Sequence, residues 1–477
     1  MSQPNILLFI MDGLQGRLLQ PDHICRTPNF DRVAAMGTRF SNAYTPSPTC
    51  SPARASLMTG LLPHNHGVLY VEHTVDDDQS VLRDSPHWAQ HLQDAGYYNG
   101  YFGKWHIERS DKLENFGWNE YQVSGRKVHR AHSQSGGPTE TPLDTALSRY
   151  HEGPDGYNRI LHYGVTDEPA SERNMGRTTQ ESLGFLQKQD GTGPWCCCAS
   201  FYEPNEAMIV SREAFEQYDL DDIQLPENLR DDMSDRPGFY RRQQKIFEDI
   251  TDDEWRMALA CYYGRVTELD AQFGRLLDHL ENTGQIEDTI IIITADHGKY
   301  VGSHGMDGHN YGAFEEIYNV PLVMSGPGLA EGIESPARVG LHDIGPTLLE
   351  LTGTDSIDVP DSQSFASAMK TPTEASEFTI GYAENFGNRF ILTQRILWDG
   401  PWKFAFNGFD FDELYNLEDD PHEMKNLVDD PAYAELIRGL MVKIWKKIGD
   451  TGDQALFHTN YYTSRFGAVG PNVGNQS

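Results

Sequence analysis

Two runs of apolar residues stand out along the chain, and each leads into an aspartate at its end. The first is ILLFIM, which is followed by Asp12 and Gly13, and the second is TIIIITADHG at residues 289–298. Continuous apolar runs of this length predict strands that are buried on both faces of a parallel sheet. Ligands of open α/β sheets gather beyond the carboxyl ends of such strands. We therefore expect Asp12 and Asp296 to lie at one shared site.

Helical and strand patterns lie between these runs and after them. Apolar positions at three- and four-residue spacing predict a long helix in DEWRMALACYYGRVTELDAQFGRLLDHLENTG and a shorter one in HDIGPTLLELTG, which ends at Gly353. The segment WCCCASF predicts a buried strand in which Cys196, Cys197 and Cys198 act as small hydrophobic residues. The span of about residues 107–195 is rich in Gly, Ser, His and Arg, which predicts a loop-rich insertion over the sheet edge.

The C-terminal part of the chain has a different pattern. The segment 354–377 is polar, contains proline and serine, and predicts a linker. After it, FTIGYAEN, RFILTQRIL and WKFAFN predict short strands, and AYAELIRGLMVKIWKKIG predicts a helix. A chain of 477 residues exceeds the roughly 250–300 residues that one core spans. We therefore predict a large α/β domain at residues 1–365 and a small α+β domain with an antiparallel sheet at residues 366–477.

Composition narrows the classes of partner. The formal net charge of −33 argues against a nucleic-acid partner, because phosphate binding needs a basic surface. An anionic substrate must then be attracted by a local cationic pocket. No apolar run reaches the roughly 18–20 residues that span a bilayer, so we expect no membrane partner. The N-terminus, MSQPNILLFIMDG, lacks a basic leader, which predicts a cytoplasmic protein, or a periplasmic or secreted one if a signal peptide has been removed.

Candidate chemistry is concentrated in TPSPTCSPARASLMTG, residues 45–60. The order Cys-Ser-Pro-Ala-Arg from Cys50 to Arg54, with Thr-Gly downstream, resembles the signature of the type I sulfatases. Other segments resemble further parts of that family, and the resemblance covers nearly the whole chain: GYYNGYFGKWH (96–106), TADHGKYVGSHG (294–305), FEEIYNVPLVMSGPG (314–328) and NGFDFDELYNLEDDPHEMKNL (407–427).

The resemblance implies a fold and a modification. The fold is alkaline-phosphatase-like, a large mixed, mostly parallel sheet sandwiched by helices, with a smaller C-terminal α+β domain. Cys50 is oxidised to formylglycine by a maturing partner, either a formylglycine-generating enzyme or an anaerobic sulfatase-maturating enzyme. The hydrated aldehyde is then the nucleophile that attacks a sulfate ester, with a sulfated saccharide as the expected substrate.

A divalent metal follows from the same resemblance. Asp12, Asp296 and His297 are the expected ligands, and modified Cys50 completes the set. Hard oxygen ligands favour calcium, with magnesium or manganese as alternatives. The family often has a second acidic residue after the first aspartate, where this chain has Gly13. Asn310, Gln15 or water are the alternatives for the missing ligand.

Three further residues are expected to act in catalysis. Arg54 follows Cys50 by one helical turn, where its guanidinium can hold the diol and the carboxylates that bind the metal. By resemblance, Lys104 contacts the sulfate and His106 the diol, where a base is needed to expel sulfate. On an extended segment these two side chains project to the same side.

Two departures from the family pattern are informative. The family commonly has Pro-His after the strand equivalent to WCCCASF, where this chain has Asn205, and a lysine past the metal pair, where it has His309. We expect Asn205 to donate a neutral hydrogen bond to sulfate or sugar. We expect His309 to be the general acid for the leaving alcohol, because a histidine gives up a proton at neutral pH more readily than a lysine does.

Other residues have two open interpretations each. His304 either orders the metal loop or binds substrate, and Arg389 and Arg395 are candidates for a second sulfate or a uronate. His129 and His132, in GRKVHRAH, lie either in an anionic sugar subsite or on a solvated loop. His64 and His66, in LLPHNHGV, serve either in substrate binding or in packing and capping.

The leading hypothesis is therefore a sulfuric ester hydrolase that acts on a sulfated carbohydrate. A phosphonate monoester or phosphodiester hydrolase is the nearest alternative, since it uses the same aldehyde and often has an Asp-His metal pair. A non-catalytic glycan-binding protein with unmodified Cys50 is the third. Six residues are present together: Cys50, Arg54, Lys104, His106, Asp296 and His297. Their joint presence argues against this third hypothesis, because binding alone does not need a convertible cysteine.

Overall fold

The structure is a computed structural model of the chain. It describes residues 3–72, 82, 84–123, 141–205, 207–357, 359–388, 391–457 and 467–473. Within this part, fifteen strands form three sheets. The strands are β1 (Asn5–Asp12), β2 (Gly37–Tyr44), β3 (Tyr98–Gly103), β4 (Glu120–Val123), β5 (Ser148–His151), β6 (Ile160–Thr166), β7 (Trp195–Pro204), β8 (Ile209–Ser211), β9 (Thr289–Ala295), β10 (Leu322–Ser325), β11 (Ile333–Gly340), β12 (Ile380–Gly387), β13 (Ile391–Asp399), β14 (Trp402–Asn407) and β15 (Glu413–Asn416).

The α-helices of the described residues include one long helix and many short ones. They are α1 (Pro28–Ala35), α2 (Cys50–Thr59), α3 (Pro63–His66), α4 (Trp88–Asp94), α5 (Asn174–Leu186), α6 (Arg212–Phe215), α7 (Gly238–Gln244), α8 (Asp252–Asn282), α9 (Glu315–Tyr318), α10 (Ile344–Thr352), α11 (Ala366–Lys370), α12 (Ala434–Thr451) and α13 (Gln454–Phe457). The two helices predicted around residues 253–284 and 342–353 are confirmed as α8 and α10. Among the residues described, no helix combines the length and the apolar character needed to cross a bilayer.

The large sheet has eight strands in the order β11-β2-β10-β9-β1-β7-β3-β4. It is mostly parallel, and β10 is antiparallel to both of its neighbours. The predicted apolar runs form β1 and β9, and WCCCASF begins β7, all of whose residues are buried. The predicted α/β fold with a large, mostly parallel sheet is confirmed.

A four-stranded antiparallel sheet, β12-β13-β14-β15, forms the C-terminal part, and α12 packs against β13 and β14. It confirms the predicted smaller α+β unit, since the three strand-like segments became β12, β13 and β14. The boundary between residues 365 and 366 stays a prediction. The segment 354–377, predicted as a linker, contains the short helix α11 and a 3-10 helix from Pro372–Glu377.

The prediction of a loop-rich insertion at about residues 107–195 was wrong for its second half. Helix α5 packs against β7, β3 and α8 and is therefore part of the main core. Strands β5 and β6 join β8 in a three-stranded sheet. The polar composition misled the prediction because α5 buries small polar residues, including Thr178, Thr179 and Ser182.

The carboxyl ends of β1, β7 and β9 meet at the centre of the large sheet. Met11 pairs with Ala295 across β1 and β9, so the next residues, Asp12 and Asp296, follow at the same edge. On the other side of β1, Asp12 pairs with Pro204 of β7 after an irregularity in the register. This arrangement brings Asp12, Asp296 and the residue after Pro204 to one place.

Candidate active site

Cys50 is the first residue of α2 and is buried. Its Sγ lies 3.0 Å from His297 Nε2 and 3.9 Å from His309 Nε2. Burial and the Asp12 carboxylate raise the pKa of this thiol, but Lys104, His297 and His309 outweigh them and bring it to about 6. Cationic neighbours therefore stabilise negative charge at position 50.

Four buried residues offer donor atoms to a metal ion. One atom from each of Asp12, Cys50, Asp296 and His297 lies within 4.8 Å of the other three. His297 Nδ1 lies 2.8 Å from the carbonyl oxygen of Gly298 and donates its hydrogen there, so that Nε2 faces the carboxylates in the neutral ring. Two carboxylates and an imidazole, with Cys50 beside them, are a suitable donor set for a divalent cation.

The electrostatics of these residues fit a cation as well. Burial lowers the pKa of His297, but Asp296, Cys50 and Asp12 raise it to about 9. Burial raises the pKa of Asp12, yet Lys104, His297 and Arg54 hold it well below its usual range. The Asp12 carboxylate is therefore ionised at neutral pH and is available to a cation.

Arg54 holds the outer oxygens of the two carboxylates. Its Nε donates to Asp296 Oδ2 at 2.7 Å, and its Nη2 lies 3.4 Å from Asp12 Oδ2. The remaining Nη1 donates to Ser200 Oγ at 2.7 Å and to the carbonyl oxygen of Lys104 at 3.0 Å. The Oδ1 atoms of both aspartates are 3.5 Å from His297 Nε2. Arg54 therefore orients the carboxylates and leaves their inner oxygens for a metal.

Lys104 follows β3 and reaches the same site. Its Nζ contacts Asp12 Oδ2 and lies 5.2 Å from the centre of the Tyr202 ring. Burial lowers the pKa of Lys104, but Asp12 outweighs it and raises the pKa above its ordinary value. The lysine is therefore cationic at neutral pH, as contact with a sulfate requires.

His106 is buried and adopts a left-handed backbone with φ of 57°. This conformation corrects the expectation of an extended segment from Lys104 to His106, because the chain turns at the histidine. The position of both residues just after β3 still places them at the carboxyl edge of the sheet. The role of His106 as a base stays a prediction.

His309 and Asn205 lie beside the cluster. The His309 ring stacks on the His297 ring with centroids 3.8 Å apart, and its Nδ1 lies 3.1 Å from the carbonyl oxygen of Pro48. Asn205 Nδ2 donates to Asp12 Oδ1 at 2.7 Å and lies 3.3 Å from His309 Nε2. The two departures from the family pattern are thus in contact with each other.

Gln15 and Asn310, the two side chains expected to replace a ligand at Gly13, differ in their hydrogen bonding. Gln15 donates to the carbonyl oxygens of Lys299 and Tyr300 and accepts from Arg17 Nε. Asn310 is half-buried, and its Oδ1 has no hydrogen-bond partner among the described residues. Gln15 is therefore occupied in binding its neighbours.

His304 lies in a separate buried network. Its Nδ1 is 3.0 Å from Asp231 Oδ2, its Nε2 is 3.0 Å from Asn228 Nδ2, and its ring stacks on Phe314. The side chain has no exposed surface. These contacts favour the interpretation that His304 orders the loop after the metal pair, and a role in substrate binding stays a prediction.

Arg395 does not present its guanidinium to the substrate side as expected. It is fully buried, and its Nη2 donates to Asp453 Oδ2 at 2.7 Å while its Nε lies 3.8 Å from Glu384 Oε1. Because the Arg395 guanidinium is paired with these two carboxylates, it is not available to a substrate anion, and the expected substrate contact is corrected. His64 Nδ1 lies 2.7 Å from the same Glu384 carboxylate.

His66 is fully buried and its Nε2 lies 3.0 Å from Ser56 Oγ, which favours packing over substrate contact. Arg389, His129 and His132 lie outside the described residues, so their assignments stay predictions.

Two residues that the sequence did not predict hold neighbouring segments of the site in place through hydrogen bonds and ion pairs. Ser200 accepts from Arg54 and donates to the carbonyl oxygen of Lys104 at 2.8 Å, which links β7 to the segment after β3. Asp307, two residues before His309, lies 3.3 Å from Lys299 Nζ and 3.5 Å from His162 Nδ1. Burial raises the pKa of Asp307, but Lys299 and His162 outweigh it and lower the pKa below the usual range. A single serine within an apolar strand gives no sequence signal for such a role, so Ser200 could not have been predicted. Lys299 and Asp307 could have been considered, because they closely follow Asp296 and His297 in the sequence.

Comparison with known proteins adds independent information. The family model described as Sulfatase matches residues 4–354, and the model of the C-terminal part of N-sulphoglucosamine sulphohydrolase matches residues 302–450. The choline-sulfatase of Rhizobium meliloti (strain 1021) is 27% identical over 458 residues, which cover 90% of this chain and 83% of the relative.

Two more relatives are similar over most of the chain. The N-acetylglucosamine-6-O-sulfatase of Bacteroides thetaiotaomicron is 23% identical, covering 92% of this chain and 85% of its own. The solved structure of a phosphonate monoester hydrolase from Silicibacter pomeroyi has a TM-score of 0.78 at 22% identity, covering 97% and 98% of the two chains. The structural likeness supports the alkaline-phosphatase-like fold.

Proposed function

The chain belongs to the sulfatase family of sulfuric ester hydrolases, and we propose that it cleaves a sulfate ester on a sulfated carbohydrate. The reaction uses formylglycine made from Cys50 and a divalent metal, with calcium as the first choice. One observation carries this proposal: buried Cys50 lies within a cluster of Asp12, Asp296 and His297. The match to the C-terminal sulphohydrolase model and the glucosamine-sulfate relative support a carbohydrate substrate.

The residues around Cys50 meet the electrostatic demands of the reaction. Hydrolysis consumes water, breaks the bond between sulfur and the sugar oxygen, and yields an alcohol and hydrogen sulfate. Negative charge is spread over the sulfate oxygens, and fixed cations stabilise it. Lys104 is the cation that we assign to the sulfate. In a chain with a net charge of −33, this local cation is what attracts an anionic group.

The metal and the modified residue supply what the unmodified side chains lack. Asp12, Asp296 and His297 would hold a divalent cation, which would supply Lewis acidity at position 50. Arg54 keeps the two carboxylates oriented for it, through the contacts of its Nε and Nη2. Lys104 Nζ also contacts the outer oxygen of Asp12, Oδ2, which leaves the Oδ1 atoms facing His297 Nε2.

Two histidines move the protons. We assign His309 as the acid that protonates the leaving sugar oxygen, because its Nε2 faces Cys50 at 3.9 Å while the carbonyl oxygen of Pro48 fixes its Nδ1. His106 is assigned as the base that takes the proton from the hydroxyl group at position 50. Asn205 lies between His309 and Asp12 and keeps the acid apart from the carboxylate.

Sulfate release from a panel of defined sulfated saccharides tests the proposal. The protein is coexpressed with a maturing enzyme, and Cys50→Ala is compared with Cys25→Ala, a second buried cysteine that contacts Tyr263 and Tyr218 instead. We expect release by the wild-type protein and by Cys25→Ala, and none by Cys50→Ala. Equal release by Cys50→Ala, or no release from any saccharide, contradicts the proposal.

A phosphonate monoester hydrolase is the second candidate. The Asp296–His297 pair favours it, together with the likeness to the solved phosphonate monoester hydrolase. Relative kcat/KM values on an aryl sulfate and an aryl phosphonate monoester distinguish the two activities. A preference for the sulfate supports the main proposal, and a preference for the phosphonate supports the second candidate.

A further inference from the structure

We propose that Asn205 provides the metal with the oxygen ligand that Gly13 does not supply, through its side-chain carbonyl group. The inference rests on the metal of the proposed function, and it replaces the expectation that Asn205 serves only as a hydrogen-bond donor to substrate. It assigns the ligand to the end of β7 instead of the end of β1.

The strand register places Asn205 beside the candidate metal ligands. Asp12 pairs with Pro204 across β1 and β7, so Asn205 lies level with Gly13. The Asn205 amide is 2.7 Å from Asp12 Oδ1, the same oxygen that faces His297 Nε2 at 3.5 Å. The amide therefore contacts the atom on Asp12 that is available to a metal.

The carbonyl oxygen of Asn205 needs a partner. Asn205 is 8% exposed, and its Oδ1 has no hydrogen-bond partner among the described residues. A buried polar atom in that state is uncommon and unfavourable. Amide oxygens are ordinary ligands of Ca²⁺, and a cation beside Asp12 would satisfy this one once the amide turns its oxygen toward Asp12. A half-turn of the amide plane exchanges its oxygen and nitrogen atoms, and a cation would favour the oxygen facing it.

Gly13 leaves the space that Asn205 uses. A Cβ atom on Gly13 would lie 3.2 Å from Asn205 Cβ, 3.3 Å from Cγ and 3.4 Å from Oδ1. The φ of 73° at Gly13 is in the left-handed region, which favours glycine. A side chain at position 13 and the Asn205 amide therefore compete for one volume. We therefore infer that the two departures from the family pattern are linked: the ligand missing at Gly13 is replaced by the Asn205 amide.

The rival ligands are less well placed. Gln15 uses both ends of its amide on Lys299 and Arg17. Asn310 also has an unpartnered Oδ1 within the described part of the chain, but it is only half-buried, and its backbone N–H is what joins it to Pro48, at 3.1 Å. Asn310 is therefore the matched comparison for Asn205, since both carry the same amide near the site.

Calcium titration by calorimetry tests the inference on the unmodified protein. We expect Asn205→Ala to weaken Ca²⁺ binding by at least about tenfold, because loss of even an outer partner of a metal ligand costs roughly 10–100-fold. Asn310→Ala should bind as the wild type does.

The number of water molecules on the metal separates a ligand from a positioning residue. Terbium luminescence lifetimes in H₂O and D₂O count these waters, and Asn205→Ala should add one while Asn310→Ala adds none. An unchanged count in Asn205→Ala overturns the inference even if affinity falls, because Asn205 then acts only through Asp12. Unchanged Ca²⁺ affinity in Asn205→Ala overturns it as well. A wild-type protein that binds neither ion contradicts the metal of the proposed function itself.

Discussion

The imidazole rings of His297 and His309 stack with centroids 3.8 Å apart and an angle of 20° between their planes. His297 is one of the candidate metal ligands, together with Asp12, Cys50 and Asp296. His309 is the residue that we assign as the general acid. Because the Nε2 atoms of both rings face Cys50 Sγ, the stack places a proton donor next to the nucleophile.

His309→Ala should slow the hydrolysis of an alkyl or sugar sulfate much more than that of an activated aryl sulfate. A poor leaving group needs a proton, and a positioned acid contributes roughly 10²–10⁴-fold. The measurement is kcat/KM on both substrates, with His422→Ala as the control, since His422 pairs with Glu227 in a different cluster. Equal losses on both substrates would remove the acid role from His309.

Arg54→Lys should weaken Ca²⁺ binding by roughly 10–100-fold. A lysine cannot reproduce the donors that Arg54 directs at Asp296, Ser200 and the Lys104 carbonyl oxygen, so the carboxylates lose their orientation. Arg39→Lys is the control, because Arg39 pairs with two half-exposed acids, Asp31 and Glu334. Similar calcium affinity in Arg54→Lys and the wild type would show that the guanidinium does not orient the site.

Part of this site could be predicted from the sequence, because strand ends and local motifs carry their own signals. Asp12 and Asp296 follow apolar runs that had to be adjacent strands, and Arg54 follows Cys50 by one turn of α2. The contact between Asn205 and Asp12 had no such signal. It depends on an irregularity in the β1–β7 register between Ile10 and Asp12, which no residue pattern reveals.

For Arg395 the sequence suggested a contact that the structure does not show. An arginine on a predicted strand has the same pattern whether its cation faces a ligand or an internal acid. Its partners, Asp453 after α12 and Glu384 on β12, are distant in the chain, so only the fold decides between the two. Helix α5 was missed for a related reason, since buried threonines and serines look like loop residues until the neighbouring elements are known.

The pair of His64 and Glu384 should make stability depend on pH. Burial lowers the pKa of His64, but the hydrogen bond and charge of Glu384 outweigh it and raise the pKa. A raised pKa in the folded state stabilises the protein below the unfolded value of about 6.5, and this contribution is lost as pH rises through the folded value. His64→Gln should therefore lower the free energy of unfolding by roughly 1.5–3 kcal/mol at pH 6 and by less at pH 9.

Denaturant unfolding of wild type and His64→Gln at both pH values makes this measurement. His422→Gln serves as the matched control, because its partner Glu227 is exposed and an exposed pair contributes little. The same destabilisation by His64→Gln at pH 6 and pH 9 would show that the charge of His64 is not what stabilises the fold.

Calcium binding to the unmodified protein should release a proton at pH 7. The pKa of His297 is raised to about 9 by Asp296, Cys50 and Asp12 against the effect of burial. The ring is therefore protonated at pH 7 and must lose its proton to bind a metal. Cys50, with a pKa of about 6, is already mostly ionised at that pH.

Calorimetry in two buffers with different ionisation enthalpies counts the released proton. The apparent affinity should rise by about tenfold per pH unit between pH 7 and pH 9, since one proton competes with the metal. At pH values above 9 the release and the slope should disappear. Binding without proton release at pH 7 would mean that His297 is neutral or does not bind the metal.

If Cys50 acts as formylglycine, the mass of the peptide that contains it, measured beside sulfate release, shows this most directly. Preparations with different degrees of maturation should release sulfate at a rate proportional to the fraction of Cys50 converted, with no activity in the fully unconverted protein. Full activity in a preparation whose Cys50 is entirely a thiol would show that hydrolysis does not need the aldehyde.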